Sequence, residues 1–127
     1  MRKFMAALAV LAFAALVTAP ALAATETITG KVIDQSCYTA NKTNTGVDHQ
    51  MRSGEVKDCA LDCAKKGRPL ALLTTDGKVY TIGGGLAASN NEKLVAHVSH
   101  TVAITGDVTT KDGAMTIASD ALKMVSR

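Results

Sequence analysis

The sequence predicts a mainly β fold with two short helices. It reads as a small OB-like five-stranded antiparallel barrel with a helical insertion between strands 1 and 2. Three observations lead there. Five stretches carry apolar residues at strand spacing, bounded by turn residues. One helical segment falls between the third and fourth of them, which gives the OB order of three strands, a helix and two strands. The first and fourth strands share a motif, "ITGKV" at 28–32 and "ITGDV" at 104–108. Each places a glycine inside a strand, where a small barrel needs its strands to bend. A plain antiparallel sheet with helices on one face is the competing architecture.

The elements follow in order. "TITGKVID" (27–34) sets Ile28, Gly30 and Val32 against Thr29 and Lys31, a half-buried strand. "PLALLTTDGKVYTI" (69–82) holds two apolar runs around Asp76-Gly77. That dipeptide suits a type I′ hairpin turn, whose two central residues both need positive φ. Ser89-Asn90-Asn91-Glu92 reads as a capping box opening a helix, with Leu94, Val95 and Val98 as its apolar face. "TVAITGDV" (101–108) is the fourth strand, and Asp112-Gly113 marks a second hairpin turn. "AMTIASDALKMV" (114–125) reads as one last strand.

Between the first two strands lies a polar, turn-rich insertion (37–68), too long for an idle connection. It ends in "DCALDCAKKGRP" (58–69), a short helix. Asp58 caps it, and Cys59, Ala60, Cys63 and Ala64 fall on one face. Lys65 and Lys66 suit the negative end of the dipole. Gly67 fits the C′ position, and Pro69 forbids continuation.

Ahead of all this, "MRKFMAALAVLAFAALVTAPALA" (1–23) has the layout of a secretory signal peptide. Arg2 and Lys3 form a basic start, an apolar run follows, and Ala21-Leu22-Ala23 is a small-x-small cleavage site. The expectation is a periplasmic or secreted protein whose mature chain, 24–127, is a single domain, with no membrane span after cleavage. Losing Arg2 and Lys3 takes the basic residues from 14 to 12 against 11 acidic, and the formal charge from +3 to +1. With no basic block, no Trp and two tyrosines, the chain lacks the cationic footprint and stacking rings of a nucleic-acid binder.

In an exported protein three cysteines need an explanation, because an odd number cannot all pair within the chain. Cys37, Cys59 and Cys63 with His49 supply three thiolates and an imidazole, a set that suits tetrahedral Zn²⁺. Soft thiolates also suit Cu(I), with Met51 as a thioether beside His49. The Cys-x-x-x-Cys pair with a distant His resembles the copper ligands of Sco-type copper chaperones. Alternatively, Cys37 pairs with Cys59 or Cys63 and staples the insertion to its helix. A reactive thiol, with Cys59 in the first helical turn near His49, is the third use of these residues. It lacks a Cys-x-x-Cys motif and an evident acid to orient the imidazole, so no catalytic residue is assigned. His97 and His100, near the end of the second helix, read as solvent-facing.

The run "CALDCAKKGRPLALLTTDGKVY", with a cysteine ending the first strand, resembles small exported bacterial proteins of an OB-like family. The matching residues are Cys37, Cys59-Ala60, Cys63-Ala64, Gly67, Pro69, Asp76-Gly77-Lys78 and Tyr80. The resemblance implies export and the barrel, and brings no activity with it. The expected function is a non-enzymatic metal-binding protein, for Cu or Zn, with Cys37, His49, Cys59 and Cys63 as ligands. Its rival is a disulfide-stapled module that binds an unknown protein partner.

Overall fold

The computed structural model describes residues 23–45, 49–50, 56–57 and 59–127, and only the backbone at 49, 50, 56, 57 and 59. The signal-peptide reading of 1–23 therefore lies, but for Ala23, outside the described residues, as do Met51 and the Asp58 cap.

The first strand, β1 (Ala24–Asp34), has two neighbours in succession. From Ala24 to Lys31 it pairs antiparallel with β6 (Thr101–Lys111), and from Lys31 to Asp34 with β4 (Leu70–Leu73). β4 turns back into β5 (Val79–Gly83), which lies parallel to β7 (Ala114–Ala118), and β7 returns along β6. The circuit β1-β4-β5-β7-β6-β1 is closed. This is the OB-like barrel expected and excludes the open sheet. Its strands are mixed rather than wholly antiparallel: the helical crossover after β5 leads into β6, and the hairpin that follows turns β7 back into the direction of β5.

The shared glycines sit at the bends. Gly30 lies one residue before β1 takes β4 as a neighbour, and Gly106 one residue before β6 takes β7. A Cβ on Gly30 would come within 2.8 Å of the Leu73 carbonyl oxygen, and one on Gly106 would overlap the carbonyl oxygen of Ala118. Only a bare Cα lets neighbouring backbone this close.

Inside are Val32, Leu70, Leu72, Ile82, Leu86, Leu94, Val102, Ile104 and Ile117, all buried. Burying each aliphatic side chain contributes on the order of 1.5–3 kcal/mol. Ala60 and Ala64 of α2 (Cys59–Lys65) and Leu94 and Val98 join this core, as their spacing predicted.

Five details differ from the sequence reading. A third helix, α1 (Gln35–Ala40), follows β1 directly, so Cys37 stands in a helical first turn rather than at a strand end. The last strand is broken: β7 stops at Ala118, and β8 (Lys123–Ser126) resumes beside β6. Between them Ser119 turns its hydroxyl onto the carbonyls of Thr105 and Ala121. The capping box does not form. In α3 (Ala88–Val95) Ser89, Asn90 and Asn91 all have left-handed φ, near 52°, 56° and 62°, and no side chain caps the start. The turn at Asp76-Gly77 is not type I′, since only Gly77 has positive φ (83°) while the Gly77 N–H donates to Thr74 O. At Asp112-Gly113 both residues do, at 51° and 80°. Finally, His97 and His100 do not simply face solvent. They are half-buried, edge to face with ring centres 6.4 Å apart, because the turn after α3 folds back onto β1. There Ser99 N–H donates to Val32 O and Val32 N–H to His100 O.

Candidate metal centre

The end of β1 is covered on both faces: Val32, Ile33 and Asp34 are buried in succession. Asp34 is only 2% exposed. An isolated buried carboxylate is costly unless it is hydrogen-bonded, paired or bound to a cation. One oxygen is accounted for. Oδ1 accepts the Cys37 N–H at 2.6 Å, so Asp34 is the N-cap of α1 and fixes Cys37 at the third helical position. The other oxygen, Oδ2, is buried and has no hydrogen-bond partner among the described residues.

Cys63 arrives from α2, and its position is set by the end of that helix. Gly67 takes a left-handed φ of 74°. Its N–H donates to Ala64 O at 3.0 Å, and the Arg68 N–H to Cys63 O at 3.1 Å. That pair of bonds is a complete Schellman motif, as Gly67 at C′ predicted. Asn91, 3% exposed, reaches in from α3 and donates through Nδ2 to Ala64 O and Arg68 O, at 3.2 and 2.8 Å. Pro69 O then accepts the Gln35 N–H at 3.2 Å, and Thr81 Oγ1 donates to Gln35 Oε1 at 3.0 Å. The chain leaving Cys63 is thereby tied to the start of α1.

This frame brings together Asp34, Cys37 and Cys63, whose donor atoms all lie within 4.8 Å of one another. Among the described residues no other group of three such side chains converges. Ligand atoms around a tetrahedral zinc with bonds of about 2.0–2.3 Å lie roughly 3.3–3.8 Å apart. The three donor atoms would have to close by about 1 Å at most to reach the upper end of that spacing.

The electrostatics match the placement. Burial pushes the Cys63 thiol above its ordinary pKa, and the negative Asp34 carboxylate beside it pushes further. The Cys37 thiol and the Arg68 guanidinium pull the other way. These effects favour the protonated form of the Cys63 thiol, a poor nucleophile by itself but a ligand that a cation would deprotonate.

Of the four ligands read from the sequence, Cys37 and Cys63 are brought together. The side chains of Cys59 and His49 lie outside the described residues. By backbone, Cys59 opens α2 one turn before Cys63, and His49 pairs with Lys57 in a two-residue ladder, β2 (His49–Gln50) with β3 (Val56–Lys57). The residue missed was Asp34. Its signal was an acid closing an apolar strand three positions before Cys37, the spacing of a helix cap.

Compared with family models, curated proteins and solved structures, the chain finds no match. No helix among the described residues is long and apolar enough to cross a membrane.

Proposed function

We propose that this is an exported, non-enzymatic metal-binding protein, its centre built on Cys37, Cys63 and Asp34. One observation carries the reading: a buried carboxylate oxygen with no partner among the described residues, beside two sulfurs. A bound cation satisfies that oxygen and turns both thiols into thiolates. Cys59, four residues before Cys63 on α2, is the proposed fourth ligand, and His49 the alternative to it. Zn²⁺ and Cu(I) are the ions such donors take. Export is supported by the 1–23 segment.

The second reading has its own support. The same convergence of Cys37 and Cys63 is the one a disulfide between them would start from, and such a bond would contribute about 3 kcal/mol through loop closure. Intact mass of the full chain expressed in a bacterium with a periplasm decides between them. The metal reading expects a mature start at Ala24, extra mass under native conditions equal to one metal ion, and three titratable thiols after anaerobic unfolding. A mass lower by two hydrogens, one thiol and no metal would replace it with the staple.

A further inference from the structure

Asp34 is unlike the ligands a copper(I) carrier uses, and the inference drawn from it rests on the metal-binding reading. Cu(I) is satisfied by two or three soft sulfurs and gains little from a carboxylate, whereas a borderline divalent ion accepts thiolate and carboxylate together. The two oxygens of Asp34 have separate employment. Oδ1 is spent on the Cys37 N–H, which fixes the carboxylate and the sulfur on one rigid turn, and Oδ2 is left over and buried. Binding a monovalent ion between the sulfurs would leave that oxygen buried, charged and facing two new thiolates. Like charges at this range disfavour one another strongly in a partly desolvated site. A divalent ion removes the conflict, because it supplies a second positive charge and an oxygen-tolerant coordination position.

We infer that Asp34 is a direct ligand that biases this centre toward a divalent, zinc-like ion and against Cu(I). The carboxylate acts as a selectivity device: the sulfurs bind either ion, and the oxygen decides between them. The same capping bond couples the metal to α1, since a shift of the carboxylate also shifts the first turn that carries Cys37.

The test compares the mature chain with Asp34→Asn, which keeps an oxygen able to cap α1 and loses the carboxylate. Apparent affinities for Zn²⁺ and for Cu(I) are measured by competition with chromophoric chelators. Loss of an outer-shell partner already weakens metal sites by about 10–100-fold, so loss of a ligand is expected to weaken Zn²⁺ by on the order of 100-fold. Cu(I) affinity is expected to stay level or rise, so that the preference between the ions moves in one direction. Asp34→Ser, which also keeps a capping oxygen, is expected to repeat the result. Thermal unfolding of both metal-free variants separates loss of ligand from loss of fold. Co²⁺ substitution adds a spectroscopic readout: Asp34→Asn retains the thiolate-to-cobalt charge-transfer bands while its ligand-field bands change. Equal losses for the two ions, or unchanged Zn²⁺ binding in a folded Asp34→Asn, would overturn the inference and leave the metal-binding reading standing. A wild-type chain that takes up neither ion removes both.

Discussion

Along the seam of the barrel, β1 and β6 pair without interruption from Ala24↔Val108 to Lys31↔Thr101. A few residues further along β1, the corner that holds Asp34, Cys37 and Cys63 depends on single bonds. The Cys37 N–H to Asp34, Asn91 to Ala64 and Arg68, and the Gln35 N–H to Pro69 O are bonds each made by one residue, not a repeated ladder. The seam is redundant and sterically exacting: it tolerates loss of any one hydrogen bond but not an added atom at its bends. The corner has the reverse sensitivity. It holds two half-buried sulfurs and is expected to lose its shape when one polar side chain is removed. The ion proposed for this corner would need such looseness to enter and displace protons, and the rigid barrel beneath confines the looseness to one end.

The largest break is expected at the seam. Gly106→Ala drives a Cβ into the carbonyl oxygen of Ala118, which is backbone and cannot rotate away. Overpacking of this kind costs about 3 kcal/mol or more, a large fraction of the stability of a domain this size. Thermal unfolding is expected to shift down by tens of degrees or to lose its cooperative transition altogether. A Gly106→Ala protein melting within a few degrees of wild type would show that the bend is not the constraint described. Whatever folded fraction remains is expected to bind metal normally, because the lesion lies away from Asp34.

A smaller and more local break is expected at Asn91. Its side chain supplies two of the bonds that hold the end of α2, and its φ of 62° suits Asn better than Ala. Asn91→Ala leaves two carbonyls short of a partner and adds backbone strain, together about 2–3 kcal/mol. Asn91→Gly removes the side chain without the strain and is expected to cost about 1 kcal/mol less. In both, amide hydrogen exchange is expected to rise in α2 and the 66–69 turn while the β1–β6 amides stay protected, and metal affinity is expected to fall. Equal loosening of seam and corner would contradict the division between them.

The same division marks what could be read from sequence. The barrel was legible because its signals are local and repeated: alternation, turn dipeptides, and a glycine in the same place in two strands. So was the Schellman end of α2, since Gly67 and Pro69 act within one turn. The corner was legible only in part. Cys37 and Cys63 announce themselves as sulfur, but Asp34 looks like the polar end of a strand until β4 and the two helices cover it. Asn91 shows why the capping box failed. A local bond between Ser89 and the third amide competes with the long-range bonds from Asn91 to Ala64 O and Arg68 O, and the long-range bonds, which tie α3 to the end of α2, win. Likewise the break in the last strand answers to Gly106 on its neighbour, which no reading of residues 114–125 alone reveals.

The least perturbing test lies on the surface, at the turn between β4 and β5. The Thr74 hydroxyl donates to the Asp76 carboxylate and Lys78 Nζ stands 3.5 Å away, so Asp76 is held below the ordinary carboxylate pKa, chiefly by the hydroxyl. The sign follows from linkage. A carboxyl more acidic in the folded chain than in the unfolded one stabilises the fold above its unfolded pKa, and that contribution is lost as pH falls through the folded value. Asp76→Asn is therefore expected to lower stability slightly at neutral pH and to match wild type in strong acid. The two unfolding curves should converge as pH drops through the carboxylate range. The group is fully exposed, so the gap at neutral pH is expected to be the smallest of the effects described here. A gap that persisted or widened in acid would mean that the variant acts through the backbone of the turn, where Gly77 alone supplies the left-handed residue, and not through the carboxylate. Metal affinity and seam protection should be unmoved in either case. A change in them would show that the β4–β5 hairpin communicates with the corner through Leu70, which faces Asp34 in the β1–β4 register.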